Sequence, residues 1–407
     1  MSLNRDILFT PVPLPHLTLP NRFVRSATYE GLGEPDGAPR AELATLYVRL
    51  AAGGVGTIVT GFVFVSRSGR AMQPCQCGLA TDAHIASWQA VVQQVRQAAP
   101  GVRLIMQLAH AGRQTRAEAT GAAVCGVTVR RCTYFRQRVQ VLDEGAIEQV
   151  IGEFAAAARR ARQAGFDGVQ VHAAHGYLVH QFLSPWTNRR ADRWADRPLF
   201  LEEVIRAIRG ECGAGFPLLV KLSAAEDTTP GIRLADTVNT VRRLTPLGVD
   251  AVEVSYGTME YPLNIIRGAC PVDLVLRVNP LFNRVPRVFR QLWKILCGRR
   301  YVAKFIPFRE DYNLPAASEI RKATSAPVFA VGGIRALTSM VGAVATHGMA
   351  AVSLCRPLIC EPDLVARLHD GRAERSACTN CNLCTVYCDA RDPVRCYRRR
   401  PTHTQGE

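Results

Sequence analysis

Short apolar runs rich in Val, Ile and Leu alternate along most of this chain with longer stretches in which Ala, Arg and Gln punctuate apolar positions at helical spacing. A run of apolar residues bounded by Gly, Pro or Asp suits a strand buried on both faces, whereas spacing near three and four residues suits an amphipathic helix. The pattern predicts strands at 23–26, 56–60, 103–108, 168–172, 217–223, 250–255, 327–332 and 350–354. Helices are predicted at 41–52, 83–98, 146–164, 200–209, 234–245, 316–323, 337–346 and 362–369. One of them, EFAAAARRARQAGFDG, runs into Gly165, a residue suited to a left-handed C-cap. Strands that each precede a helix, eight times over, close into an α/β fold, the parallel (β/α)8 or TIM barrel, whose reactive groups lie at the C-terminal strand ends.

Those strand ends hold a compact set of polar and small residues. GVQVHAAHGY (168–177) is a short strand ending in His172, His175 and Tyr177, so two imidazoles and a phenol share one terminus. A single histidine there is usually structural; two with a tyrosine, separated by small residues, point to a reaction site. The other ends contribute Ser26, Ala27, Thr28, Gly61, Gln107 and Lys221, then Gly332, Gly333 and Arg356. A Gly pair after the seventh strand with an Arg after the eighth is the placement that holds a phosphate in such barrels, so a phosphorylated cofactor is expected.

Two connections are too long for turns, 113–144 and 256–314, and both are expected over the catalytic face. Within the second, 279–298 interleaves Phe282, Phe289, Leu292 and Trp293 with Arg284, Arg287, Arg290 and Lys294. That pattern reads either as a basic amphipathic helix for a membrane surface or an anionic substrate tail, or as a lid folded on its own barrel.

The 407 residues are 48% hydrophobic, enough for a large core, and their formal charge is +16. Excess positive charge suits nucleic acid, an anionic cofactor, an acidic substrate or a lipid surface. With no nucleic-acid module beside it, the nucleic-acid reading is set aside. No apolar run is long enough for a transmembrane segment, and the N-terminus lacks the apolar core of a secretion signal, so a cytoplasmic location is expected. In that compartment the fourteen Cys would stay reduced.

Several ordered motifs resemble the old yellow enzyme family of FMN-dependent oxidoreductases, particularly the branch related to dienoyl-CoA and enoate reductases. They are LPNRFVRSATYEG (19–31), LAAGGVGTIVTG (50–61), LIMQLAHAGRQ (104–114), AGFDGVQVHAAHGYLVHQFLSPWTNRR (164–190), VFAVGGIR (328–335) and RPLICEPDL (356–364). The resemblance implies that Ser26, Ala27, Thr28, Gly61, Gln107 and Lys221 surround the flavin ring and that Gly332, Gly333 and Arg356 hold its phosphate. It implies that His172 and His175 bind an activating carbonyl or carboxylate and that Tyr177 donates the proton. Reduced FMN would then deliver hydride from N5 to an activated C=C bond of a small-molecule or acyl-type substrate, with NAD(P)H or a protein as electron donor. Alternatives within the family are a dehydrogenase or desaturase and an amine oxidase; outside catalysis, the alternative is a flavin-binding protein without turnover. A homo-oligomer is compatible with all of these. The chain departs from the family pattern at ADRPLF (195–200), at Cys355 before the phosphate-binding Arg and at Tyr29.

The end of the chain reads as a separate Cys-rich segment, 371–407, following a barrel over 1–370. CTNCNLCTVYCDARDPVRC brings Cys378, Cys381, Cys384, Cys388 and Cys396 together. Cys378, Cys381 and Cys384 with either Cys388 or Cys396 suit a [4Fe-4S] cluster; Zn or an empty knuckle are the competing readings. The resemblance favours Cys396 as fourth ligand. In cluster-bearing relatives a further FAD domain feeds the cluster, and the eleven residues after Cys396 leave no room for one. Electrons are therefore expected from NAD(P)H directly or from another protein, for which the basic residues Arg398, Arg399 and Arg400 are a candidate dock and a solvated terminus the plainer reading.

Overall fold

The computed structural model describes residues 4–390, 392 and 394–398; Arg399 and Arg400 of the basic tail lie outside them. All eight predicted strands form, as β1 Phe23–Arg25, β2 Thr57–Val59, β3 Arg103–Ala109, β4 Gly168–Ala173, β5 Leu218–Ser223, β6 Ala251–Ser255, β7 Val328–Val331 and β8 Ala351–Leu354. Every neighbouring pair is parallel, and β8 pairs with β1 as β2 does with β3, so the sheet closes on itself. The outer layer is α1 Ala41–Ala52, α2 Ile85–Ala98, α3 Glu144–Gln163, α4 Leu199–Cys212, α5 Leu234–Leu244, α6 Leu314–Lys322, α7 Leu337–Ala345 and α8 Leu364–His369. The expected ends shift by a residue or so at most strands and by up to three at helices, because terminal residues carry no periodic signal of their own.

Local chemistry sets these limits. Asp143 caps α3 by accepting the Ala146 N–H at 2.8 Å, and Gly165, at φ 90°, turns the chain out of the helix as expected. Between strands and helices lies a continuous apolar layer that includes Trp88, Phe154 and Phe200. Inside the barrel a smaller cluster forms from Val24, Val59, Ile105, Leu219, Ala251 and Phe329, with Val12, Leu14 and Leu19 of the N-terminal hairpin packed against them. One end of the barrel is thereby filled with hydrocarbon. The polar side chains that line the cavities described below lie at the opposite, C-terminal end.

The two long connections cover that end and are tied together. Arg113 and Glu260 form a buried ion pair, and the Thr133 N–H donates to the same carboxylate at 2.8 Å. The first carries a parallel two-strand ladder, Val124–Gly126 with Val139–Val141; the second carries a helical run over residues 287–302. The C-terminal segment folds back over the same face, where Val386 packs on Leu274 and Val275.

Candidate active site at the C-terminal end of the barrel

β4 delivers His172 into the barrel mouth, and the chain then turns sharply at His175 (φ 63°) and Gly176 (φ 82°). Gly176 is required there, since a Cβ would lie 2.1 Å from Gln114 Nε2. The turn gathers three rings: His172 lies 5.0 Å from both His175 and Tyr177, edge-on to each, and Phe62 stacks on Tyr177 at 5.4 Å. His175 Nε2 is engaged by Ser255 Oγ at 2.8 Å, whereas His172 Nδ1 is buried without a hydrogen-bond partner. Burial, reinforced by the Lys221 charge, holds both imidazoles well below their ordinary range, so both are neutral at neutral pH. Burial also pushes the Tyr177 phenol up, with smaller contributions from Asp389 and Cys388, so it keeps its proton.

Register aligns Lys221 on β5 with His172 on β4 and with Glu253 on β6. Lys221 Nζ donates to Ser26 Oγ at 2.8 Å and lies 3.3 Å from Glu253 Oε2, itself also bonded by Gln170 Nε2 at 3.1 Å. Gln107 Nε2 donates to Gln170 Oε1 at 2.7 Å, which extends this buried chain of polar groups across the barrel. For Glu253, burial opposes ionisation, but the Lys221 charge and its hydrogen bonds outweigh it and hold the carboxyl below its usual value.

Ala27, Thr28, Gln107, His172, His175, Tyr177, Lys221 and Arg356 together line a cavity of 240 Å³. Ala27, His175, Lys221 and Arg356 also line an adjoining one of 110 Å³, closed at its far side by Gly332 and Gly333. Both glycines have positive φ, and a Cβ on Gly333 would sit 2.7 Å from the Asp311 N. Arg356 begins a short helix, and its Nη1 donates to the Arg267 carbonyl at 2.9 Å and to Asn382 Oδ1 at 2.5 Å. Two expected residues sit differently. Ser26 acts as a partner of Lys221 beneath the cavity. Gly61 borders neither cavity: its N–H donates to Glu30 Oε1 at 2.7 Å, and a Cβ would strike Glu30 Oε2 at 2.1 Å. This glycine makes room for a buried carboxylate that also accepts from Arg25 and Tyr47.

Residues 7–270 match the model of the NADH:flavin oxidoreductase / NADH oxidase family. The chain belongs to this family of FMN-dependent oxidoreductases. It is 30% identical over 382 residues to an NADH oxidase of Thermoanaerobacter brockii, covering 92% of this chain and 53% of that protein, so it spans about half the length of that relative. It is 32% identical over 270 residues to an NADPH dehydrogenase of Bacillus subtilis, covering 64% of this chain and 77% of the relative. Among solved structures, a 2-naphthoyl-CoA reductase complex superimposes with a TM-score of 0.80 at 23% identity, over 96% of this chain and 56% of the other, and shares its fold.

Against the family's cofactor, the donor set fits: a glycine pair borders one of the joined cavities, the Gln107 amide and Thr28 hydroxyl border the other, and the Arg356 guanidinium and Lys221 ammonium face both. The cysteines divide. Cys378, Cys381, Cys384 and Cys396 line a common cavity of 210 Å³ with Cys360, whose sulfur is 3.7 Å from that of Cys396. Cys388, the alternative fourth ligand, instead lines the active-site cavity, because the helix Leu383–Tyr387 carries it to the other side. Among the described residues no group of three or more His, Cys, Asp or Glu converges as a metal site.

The site also contains residues that no local motif announces. Asp389 lines the cavity opposite Tyr177, held by Gln73 Nε2 at 2.9 Å and Asn279 Nδ2 at 2.6 Å. Burial pushes its carboxyl up to about 6, partly offset by those two donors. Gln73, Asn279 and Asp389 come from three distant parts of the chain, so only the closed fold reveals them.

Proposed function

We propose that this protein reduces an activated carbon–carbon double bond, one conjugated to a carbonyl or acyl group, with NAD(P)H as the ultimate reductant. The observation that carries the reading is the buried, unpartnered His172 Nδ1 beside the Tyr177 ring, within a cavity that Lys221 and Gln107 also face. When bound, FMN supplies the two-electron carrier between nicotinamide and substrate; Ala27, Thr28, Gln107 and Lys221 would flank its ring, and Gly332, Gly333 and Arg356 would hold its phosphate. His172 and His175, kept neutral by burial, orient the substrate carbonyl by hydrogen bonding, which strengthens as negative charge develops on its oxygen. Tyr177, protonated well above neutral pH, donates the proton to the α-carbon. Phe62 and Tyr29 wall the ring cluster and exclude water.

The substrate carries an anionic extension. Next to the reaction cavity, and sharing Tyr134, Pro262 and Tyr301 with it, is a cavity of 870 Å³ lined by Arg116, Arg136, Arg284, Arg300 and Lys304 among aromatic rings. Cations interleaved with aromatic faces suit a phosphorylated or carboxylated tail, as an acyl thioester of a nucleotide carrier would present. The similar fold of a 2-naphthoyl-CoA reductase is compatible with this class.

Cys378, Cys381, Cys384 and Cys396 would hold a [4Fe-4S] cluster, which supplies one-electron transfer. Five thiols, Cys360 among them, and no carboxylate around a 210 Å³ space suit a cluster better than a single Zn ion, whose thiolates close to about 2.3 Å from the metal. Cys384 and Arg356 border both this space and the reaction cavity, so it lies next to the flavin site.

The test is anaerobic spectroscopy of FMN-reconstituted protein with iron analysis, followed by NADPH or NADH and then a cyclic enone. Flavin bands bleached by the nicotinamide and restored by the enone are expected. Flavin that is reduced but never reoxidised by any conjugated enone or enoyl thioester counts against double-bond reduction, and protein that retains no FMN removes the catalytic reading altogether.

A further inference from the structure

Residues 274–309 contain nine Arg or Lys and no Asp or Glu. Within them, the helical run over 287–302 has two unlike faces. Trp293 and Tyr301 turn inward and lie 6.2 and 5.5 Å from Phe282, which anchors the run on the loop beneath. Val288, Phe289, Leu292, Ile295 and Leu296 turn outward, exposed by 80, 56, 51, 73 and 68%. Large apolar side chains at helical spacing and this degree of exposure are unusual on a protein surface and mark an interaction site. Arg287, Arg299 and Arg300 are exposed on the same run.

We propose that this run is a membrane-docking element that lies in the interface of an anionic lipid surface. Charge decides the occupant. A second copy of the chain would bring one Arg-rich rim against another, and Asp273, the carboxylate bonded to the run, is already paired to Lys294. A nucleic acid would satisfy the rim and leave the apolar stripe in water. An anionic bilayer takes both, with hydrocarbon receiving the stripe and headgroups the guanidinium groups. The run is sixteen residues long, about 24 Å at 1.5 Å per residue, shorter than a bilayer core of about 30 Å, so it lies in the plane and does not span. Leu296 and Arg300 also line the 870 Å³ cavity, which places the cavity beside the docked face.

The experiment is co-sedimentation of the full chain with phosphatidylcholine vesicles that contain or lack phosphatidylglycerol. Association is expected to be roughly tenfold or more stronger with the anionic vesicles and to fall as salt is raised. Leu292→Glu with Ile295→Glu is expected to abolish it, and Arg299→Gln with Arg300→Gln to reduce the preference for anionic lipid. Far-ultraviolet circular dichroism verifies that each variant folds; should the acidic pair fail to fold, the Arg→Gln pair decides. Equal or no association of the wild type with both vesicles overturns the proposal. So does a wild-type dimer in sedimentation velocity that the acidic pair converts to monomer, which would assign the stripe to a second copy.

Discussion

The Lys221–Glu253 pair offers a quantitative test of how the barrel mouth holds its charge. Their side chains are 4 and 0% exposed and 3.3 Å apart. At that separation and an effective dielectric of about 20, their attraction is about 5 kcal/mol, which offsets the desolvation of both groups. Replacing Lys221 by Met leaves Glu253 buried beside Gln170 with no countercharge, and Glu253→Gln leaves Lys221 with Ser26 as its hydrogen-bond partner. Each single change is expected to cost about 3–5 kcal/mol, whereas the double variant, with neither charge, costs at least about 2 kcal/mol less than their sum. Urea unfolding at neutral pH measures all four corners of the cycle. Acidification supplies a second check. In the wild type the Glu253 carboxyl is held below its usual 4.5, so its contribution is present above that value and is lost as pH falls through the lowered one. In Lys221→Met the countercharge is gone and burial is opposed by hydrogen bonds alone, so the folded-state value rises and the deficit of the variant shrinks as pH falls. Additive costs within about 0.5 kcal/mol, or a deficit independent of pH, would refute the pairing.

Three further outcomes follow from the same geometry. Asp389, pushed up to about 6 from 3.8, contributes stability that is present below the lower value and lost as pH rises through the upper; relative to Asp389→Asn, the wild type should lose about 3 kcal/mol across that window in urea unfolding. Gly333→Ala forces a Cβ onto the Asp311 backbone at φ 81° and should cost about 1–3 kcal/mol while lowering retained FMN, measured by thermal unfolding and flavin absorbance. Phe182→Ala removes a ring stacked 4.0 Å from Phe200 in the core beneath the site and should cost about 3–5 kcal/mol in urea unfolding.

The barrel is legible in the sequence because its strands are buried on both faces and stand out as unbroken apolar runs; β4 and β5 are six residues each, and all twelve are buried. Much of the mouth is legible too, since a closed parallel barrel puts successive strand ends on one rim, which groups His172, Lys221, Gly332 and Arg356 without knowledge of any contact. Gly61 shows the limit of that logic. Its position satisfies the rim rule, yet its missing side chain accommodates Glu30, an arrangement that depends on a carboxylate thirty-one residues earlier in the chain. Asp389 and Cys388 were hidden for a related reason: the left-handed Asn382 and the following helix turn them away from the cysteine cavity and into the reaction site. A spacing of sulfurs along the chain carries no information about that rotation. Glu253 reads as a solitary charge in an apolar strand, and only the register with Lys221 explains it.

The most direct measurement is anaerobic stopped-flow spectroscopy of Tyr177→Phe beside the wild type, with flavin reduction by NADPH and flavin reoxidation by a conjugated enone recorded separately. The phenol as proton donor predicts reduction by NADPH at the wild-type rate and reoxidation slowed by roughly 10²–10⁴-fold. Reoxidation as fast as in the wild type would show that the proton comes from elsewhere and would contradict the assignment of Tyr177.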